Sequence, residues 1–154
     1  MTWESKHINQ CTPQEVLDFV KLRTDVYFLE QHITEEEIDE WDYDPRTVHL
    51  WCREDGQLVG YARIVTKDNP DEADRFTPTS LGRFVTLASH RGRGIAGGLM
   101  ERALEQVGNQ ALIVHAQCYV QDFYAGFGFE PFGEVFDEAG IDHIRMYRPA
   151  GELT

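Results

Sequence analysis

The sequence has 154 residues, 42% hydrophobic and 27% charged, the arithmetic of one globular domain over 1–154 that buries a core without a disulfide or metal staple. Fourteen Lys and Arg against twenty-seven Asp and Glu give a net charge of -13. That balance argues against a nucleic-acid backbone or an anionic membrane as partner, and leaves either a solubility charge or a pocket tuned for a cationic substrate. Cys11, Cys52 and Cys118 form no C-x-x-C pair, so neither a disulfide framework nor a zinc site is expected, and a reducing compartment is. An N-terminus without an apolar segment, and no apolar run of membrane-spanning length, make the expected location cytoplasmic.

In chain order, residues 3 to 9 read as a short strand. Thr12-Pro13-Gln14-Glu15 combines an N-cap Thr, a Pro at the first helical position and a Glu three residues after the cap, which starts a helix. Val16, Phe19, Val20 and Tyr27 follow at roughly the spacing of one buried face, fading near Glu30-Gln31. Residues 35 to 44 hold seven acids in ten positions and are ended by Pro45. Such a run is ordinarily a solvated loop. Here Ile38, Trp41 and Tyr43 are interleaved as apolar anchors, which would let the segment fold over a site and present carboxylates to it.

Thr47 to Arg53 and Leu58 to Val65 read as strands around Asp55-Gly56, a hairpin turn. Thr66 to Ser80 reads as a surface loop and Leu81 to Ser89 as a strand. Ile95 to Val107 reads as a helix burying Ile95, Leu99, Ala103, Leu104 and Val107, with Gly108 as its stop. Residues 111 to 116 are a continuous apolar run, the mark of a strand covered on both faces. A short helix over Tyr119 to Phe127 and strands near Pro131 to Phe136 and His143 to Arg148 complete a mixed α/β domain on one central sheet.

The most informative stretch is His90-Arg91-Gly92-Arg93-Gly94-Ile95-Ala96-Gly97-Gly98, between a strand and a helix. Glycines there let a ligand approach the backbone, and the free N–H groups of the helix start point at it, so the turn suits an anion such as a pyrophosphate. Gly92-x-Gly94-x-x-Gly97 formally satisfies the dinucleotide fingerprint. That reading fails because the next strand ends His115-Ala116-Gln117 without the ribose-binding acid, and because a hairpin occupies the preceding half.

Arg91-x-x-Gly94-x-Ala96 instead resembles the Q/R-x-x-G-x-G/A turn of the GNAT superfamily of acyl-CoA-dependent N-acyltransferases. Phe123-Tyr124-Ala125-Gly126-Phe127-Gly128-Phe129 is similar to its F-Y-x-x-x-G-F segment, and Gln117 stands where the family often has an Asn touching the cofactor. Leu22-Arg23, Leu29-Glu30-Gln31, Gly60-Tyr61-Ala62-Arg63, Gly82-Arg83-Phe84-Val85, Gln121-Asp122-Phe123-Tyr124, and Gly133-Glu134-Val135-Phe136 with Gly140-Ile141-Asp142-His143-Ile144 resemble recurrent segments of its ElaA-like branch. One departure is Ala88, where many relatives carry Pro. The resemblance implies a GNAT-like mixed, mostly antiparallel central sheet of six to seven strands flanked by about four helices.

It also implies acetyl-CoA as the cofactor and a small-molecule or peptide amine as the acceptor, with homodimerisation left open. The pyrophosphate would sit on residues 92 to 97 (Gly92, Arg93, Gly94, Ile95, Ala96, Gly97) beside Arg91, and the pantetheine arm along Phe84-Val85-Thr86, next to Gln117 and Phe123. A backbone N–H near Thr86 would polarise the thioester carbonyl, and Tyr124 would donate to the departing sulfur. Taking the proton from a lysine-like ammonium at pH 7 costs about 4–5 kcal/mol, so a base or water chain is required. His49, His143, Glu134, Glu37, Asp39 and Asp42 are the candidates. Arg63 and Arg83 pair with acids or bind a substrate carboxylate, and Cys118 reads as a buried small residue rather than a nucleophile. The competing function is an acyl-CoA-binding sensor without turnover.

Overall fold

The computed structural model describes residues 1–151. Seven strands, β1 (Thr2–His7), β2 (Val48–Glu54), β3 (Gln57–Thr66), β4 (Thr79–Thr86), β5 (Leu112–Gln117), β6 (Glu130–Glu138) and β7 (Ile141–Arg148), form one sheet in the order β1-β2-β3-β4-β5-β7-β6. Helices α1 (Pro13–Thr24), α2 (Glu40–Tyr43), α3 (Ile95–Val107) and α4 (Gln121–Ala125) flank it. Every neighbouring pair of strands is antiparallel except β4 and β5. The expected sheet and helix complement are both present.

Local chemistry accounts for the main elements. The Thr12 side chain accepts from the Glu15 N–H while the Glu15 carboxylate accepts from the Thr12 N–H, closing the capping box at the start of α1. Asp55 and Gly56 both take positive φ, 51° and 80°, as a tight turn between right-twisted strands requires. α3 packs one face with Ile95, Leu99, Met100, Ala103 and Val107; Met100 is wholly buried, whereas Leu104 lies half-buried at the rim. β2 and β3 are covered on both faces, by α3 on one side and by α1, through Phe19, Leu22 and Val26, on the other.

Three differences from the sequence reading matter for function. α1 does not fade at its end but widens into a π-helical turn over Asp25–Glu30, with the Gln31 N–H donating to the Val26 carbonyl at 2.9 Å. The loop before β4 contains a 3-10 turn, Glu72–Asp74, that carries a buried Asp74. The helix expected over 119–127 is shorter, a 3-10 turn (Cys118–Val120) followed by α4, which stops at Gly126.

β4 is the irregular strand. Its pairing with β3 passes from Arg63↔Gly82 to Tyr61↔Val85, so β4 spends one extra residue there, with Arg83 held at φ 54°. Its pairing with β5 covers only Ser80↔Ile113 and Leu81↔Val114, after which the two strands part.

Gly60 in β3 sits where that opening meets α3. A Cβ at this position would meet the buried Ile95 side chain at 2.5 Å, with Val85 behind it at 3.7 Å. Gly60→Ala is therefore expected to lower unfolding stability by about 1–3 kcal/mol, through overpacking at the first residue of α3, as read by denaturant titration.

Candidate active site

The glycine turn leaves its backbone open to close approach. Gly92 and Gly94 have φ of 77° and 80°, and a Cβ built on either meets nothing within 4 Å. Gly94 precedes α3, whose first ladder bond runs from the Gly98 N–H to the Gly94 carbonyl, so the Ile95, Ala96 and Gly97 N–H groups have no partner within the helix. These groups border a groove of about 460 Å³ that also takes in Thr86, Arg91, Phe123 and Phe127. Both cations of the turn have carboxylate partners: Arg91 Nη1 lies 2.6 Å from Glu30, and Arg93 Nη2 lies 2.8 Å from Glu54. Arg91 Nε also donates to the Thr86 carbonyl at 3.2 Å.

Inside the opening between β4 and β5, aromatic rings meet edge to face. Tyr124 contacts Phe84, Phe123 and Phe129 with centroid separations of 6.0, 5.2 and 5.9 Å. Burial holds the Tyr124 phenol well above the ordinary tyrosine range, so it is a neutral proton donor. The Tyr27 hydroxyl, carried in by the π turn, donates to the Phe84 carbonyl at 3.4 Å, and Gln117 Nε2 donates to Gln31 Oε1 at 3.3 Å. The Val85 side chain packs in the α1-side core cluster, and its backbone is paired with Tyr61 of β3.

The acidic segment folds over the sheet, but its carboxylates face arginines. Arg23, fully buried on α1, donates through Nε to Glu37 at 2.6 Å and through Nη1 and Nη2 to Asp42 at 2.7 and 2.9 Å. Arg63 on β3 holds Asp39 at 2.7 and 2.8 Å and Asp42 at 3.0 Å, and Arg83 reaches Asp39 at 3.3 Å and Glu37 at 3.4 Å. Burial alone would raise Asp42, but its hydrogen bonds from Arg23 and the charges of Arg23 and Arg63 outweigh it and hold the carboxyl far below the usual range. Glu37, Asp39 and Asp42 thus meet three guanidinium groups and are neutralised by them, while Glu35, Glu36 and Glu40 of the same segment are exposed.

The anchoring also differs from the one expected. Tyr43 is 74% exposed and Ile38 38% exposed, whereas Trp41 is half-buried with the Lys67 ammonium 5.1 Å over its ring, so of the three apolar side chains only Trp41 helps the carboxylates fix the segment. His49 is fully buried beneath α1, stacked on Phe19 with Nδ1 2.6 Å from the Tyr61 hydroxyl, and burial pushes it down to about 4. Glu134 is exposed on the outer strand, and Cys118 is half-buried rather than buried.

Of the opposite wall the sequence singles out His143 alone. His115 on β5 lies with Nε2 2.8 Å from Asp74 and Nδ1 3.2 Å from Glu138, so both ring nitrogens must donate and the ring is an imidazolium. Burial alone would lower its pKa, but the hydrogen bonds to Glu138 and Asp74 prevail and raise it. His143 on β7 lies with Nε2 3.4 Å from the same Glu138, and Arg145 Nε donates to Asp74 at 2.9 Å. For His115 the sequence signal is only its place at the end of an apolar strand; Asp74 and Glu138 are remote from it in the chain.

Two outcomes check these arrangements. Arg23→Ala, which leaves Asp42 with one guanidinium, Arg63, and Glu37 with one, Arg83, is expected to destabilise by about 3–5 kcal/mol, whereas Tyr43→Ser stays within about 0.5 kcal/mol, both by denaturant unfolding. Because His115 is raised from its ordinary 6.5 in the folded protein, its contribution to stability is complete below that value and is lost as pH rises through the higher folded value. The melting-temperature gap between the unaltered protein and His115→Gln should narrow from pH 6 to pH 9.

A profile of the acetyltransferase (GNAT) domain matches residues 8–148. The protein ElaA of Escherichia coli is 31% identical over 150 residues, 95% of each chain. The crystal structure of that ElaA superposes with a TM-score of 0.86 at 29% identity, covering 96% of this chain and 98% of that one. The crystal structure of an acyl-CoA N-acyltransferase from Pseudomonas aeruginosa superposes with a TM-score of 0.82 at 33% identity, over the same shares.

Proposed function

Because the chain belongs to the GNAT acetyltransferase family, we propose that it moves an acetyl group from acetyl-CoA directly to a primary amine of a small molecule or peptide. The observation that carries this reading is the conjunction of an anion-accepting helix start, with open space at Gly92 and Gly94, and a strand edge left unpaired beside it from Gly82 to Thr86. Acetyl-CoA supplies the activated thioester. The free N–H groups of 95–97 and the space over the two glycines suit its pyrophosphate, and the open edge of β4 at Phe84, Val85 and Thr86 suits an extended amide-bearing arm.

A backbone N–H on that edge supports the thioester oxygen as negative charge develops, an interaction worth a few kcal/mol. Tyr124 donates a hydrogen bond to the departing sulfur. With the phenol raised and a thiol near 8.5, complete transfer from it is uphill, so donation rather than ionisation is its role. Gln117, Phe123 and Phe84 shape the walls around the sulfur.

The reading is tested by following free thiol while the protein is given acetyl-CoA and a panel of primary amines. Release that depends on the amine is expected; acetyl-CoA binding without release would establish the sensor function instead. Gly94→Leu places a strained side chain in the groove and should abolish acetyl-CoA binding. Tyr124→Phe should lower kcat by about 10²-fold with cofactor affinity retained.

A further inference from the structure

One segment touches the glycine-turn groove, the edge of β4 and the end of β5 at once. In β4 the Val85 backbone is paired with Tyr61, and just beyond it the Leu87 N–H donates to the Val59 carbonyl at 2.8 Å. These alternate residues turn toward β3, so the Phe84 and Thr86 carbonyls turn toward the gap. The Phe84 carbonyl is taken by the Tyr27 hydroxyl at 3.4 Å. Arg91, which caps the Thr86 carbonyl and borders the groove, grips Glu30 as a fork, through Nη1 at 2.6 Å and Nη2 at 3.0 Å. Gln117, the last residue of β5, donates to Gln31 Oε1 at 3.3 Å. Tyr27, Glu30 and Gln31 all belong to the π turn and the residue that caps it.

The chemistry of these three contacts is that of a ligand. A hydroxyl donor on a strand-edge carbonyl takes the place of an amide N–H, a carboxylate on a guanidinium fork takes that of a phosphate, and an amide oxygen on Gln117 takes that of an amide carbonyl. An extended molecule with amides along its arm and a phosphate at its end calls on the same carbonyl, the same cation and the same side-chain amide. The segment is also built to let go. It is fixed at its two ends, by Val26 in the α1-side core and by Glu37 on Arg23 at 2.6 Å. Between them Phe28 and Leu29 are exposed and the Tyr27 ring is half-buried, while an exposed ion pair and two long hydrogen bonds are each weak. Its own bonds, from the Gln31 N–H to the Val26 carbonyl at 2.9 Å and from the Ile33 N–H to the Tyr27 carbonyl at 2.8 Å, let it move as one piece. His32, at φ 59°, marks its end.

We propose that the π turn is a strap that imitates acetyl-CoA on the protein's own binding groups, so that strap and cofactor hold those groups in alternation. The inference rests on the acetyl-CoA reading above. With the strap down, the edge carbonyls of β4 are satisfied and closed to pairing with another chain. Acetyl-CoA displaces it contact for contact: one amide of its arm replaces Tyr27 at Phe84, a phosphate replaces Glu30 at Arg91, and a second amide of the arm replaces Gln31 at Gln117. Only the molecules whose strap is released accept the cofactor, so each strap contact lowers the apparent affinity for it.

The test measures acetyl-CoA binding, by titration calorimetry and stopped flow, in the unaltered protein and in Tyr27→Phe/Gln31→Ala, which removes two strap contacts without changing the charge. The double variant should bind at least about threefold tighter, with the gain in the association rate and the dissociation rate nearly unchanged. A smaller gain, a loss of affinity, or a gain carried by slower dissociation overturns the strap; the last would place the improvement within the complex. Should the double variant fail to fold, Gln31→Ala decides alone: binding about twofold or more tighter through the association rate upholds the strap, and any lesser change overturns it. Failure of the acetylation reading shows separately, as acetyl-CoA bound without amine-dependent release of thiol. If the unaltered protein binds no acetyl-CoA, binding gained by the double variant upholds the strap, and its absence from both overturns the strap and the cofactor reading together.

Discussion

β4 and β5 are hydrogen-bonded at Ser80↔Ile113 and Leu81↔Val114 only, and beyond these pairs their backbones separate. Inside a sheet, N–H and C=O groups left without partners carry a free-energy penalty, so a parting of this kind persists only where something else holds the strands apart or satisfies them. Here several contacts do so. The extra residue at Arg83 bends β4 away, the Phe84 carbonyl takes the Tyr27 hydroxyl, the Thr86 carbonyl takes Arg91, and the Tyr124 ring wedges between Phe84 and Phe129. The groove beside the glycine turn, the aromatic lining and the histidine wall all border this one gap.

Two buried arginines and the half-buried Arg83 explain how a strongly acidic chain folds a carboxylate-rich segment onto its own sheet. Arg23, Arg63 and Arg83 come from α1, β3 and β4, so the segment is fastened to three elements at once through Glu37, Asp39 and Asp42. Buried pairs of this type add little net stability compared with apolar packing, but removal of one member leaves an uncompensated charge. They therefore act as registration devices. The stretch that continues α1 into the π turn brings Tyr27, Glu30 and Gln31 to the gap.

Much of the frame was legible from the chain because its signals are local. The Thr12-Pro13-Gln14-Glu15 cap, the Asp55-Gly56 turn and the period of Ile95 to Val107 each specify one element by short-range rules, and each forms. The open conformation of the glycine turn was legible for the same reason, since it is contained within Gly92 to Gly97. What escaped depends on distant pairing. The role of the acidic run is decided by Arg23, Arg63 and Arg83, none of them near it in sequence, and the His115 cluster joins residues separated by |i−j| of 41 and 23. The π turn escaped because an inserted residue leaves the apolar pattern of α1 almost unchanged.

Arg91 and Arg93 each hold a carboxylate already, Glu30 and Glu54. On a chain of net charge -13, two bare guanidinium groups would form the most attractive point for any passing anion. With their partners in place the turn is close to neutral at a distance. Under the acetyl-CoA reading a phosphate arriving there would perform an ion exchange, replacing one anion on a guanidinium with another, so the number of ion pairs would change little. Ionic strength then acts weakly on the equilibrium, because it screens the incoming and the outgoing partner alike. Selection among anions falls to the uncharged part of the turn: the fixed N–H groups at the start of α3 and the room left by two missing side chains.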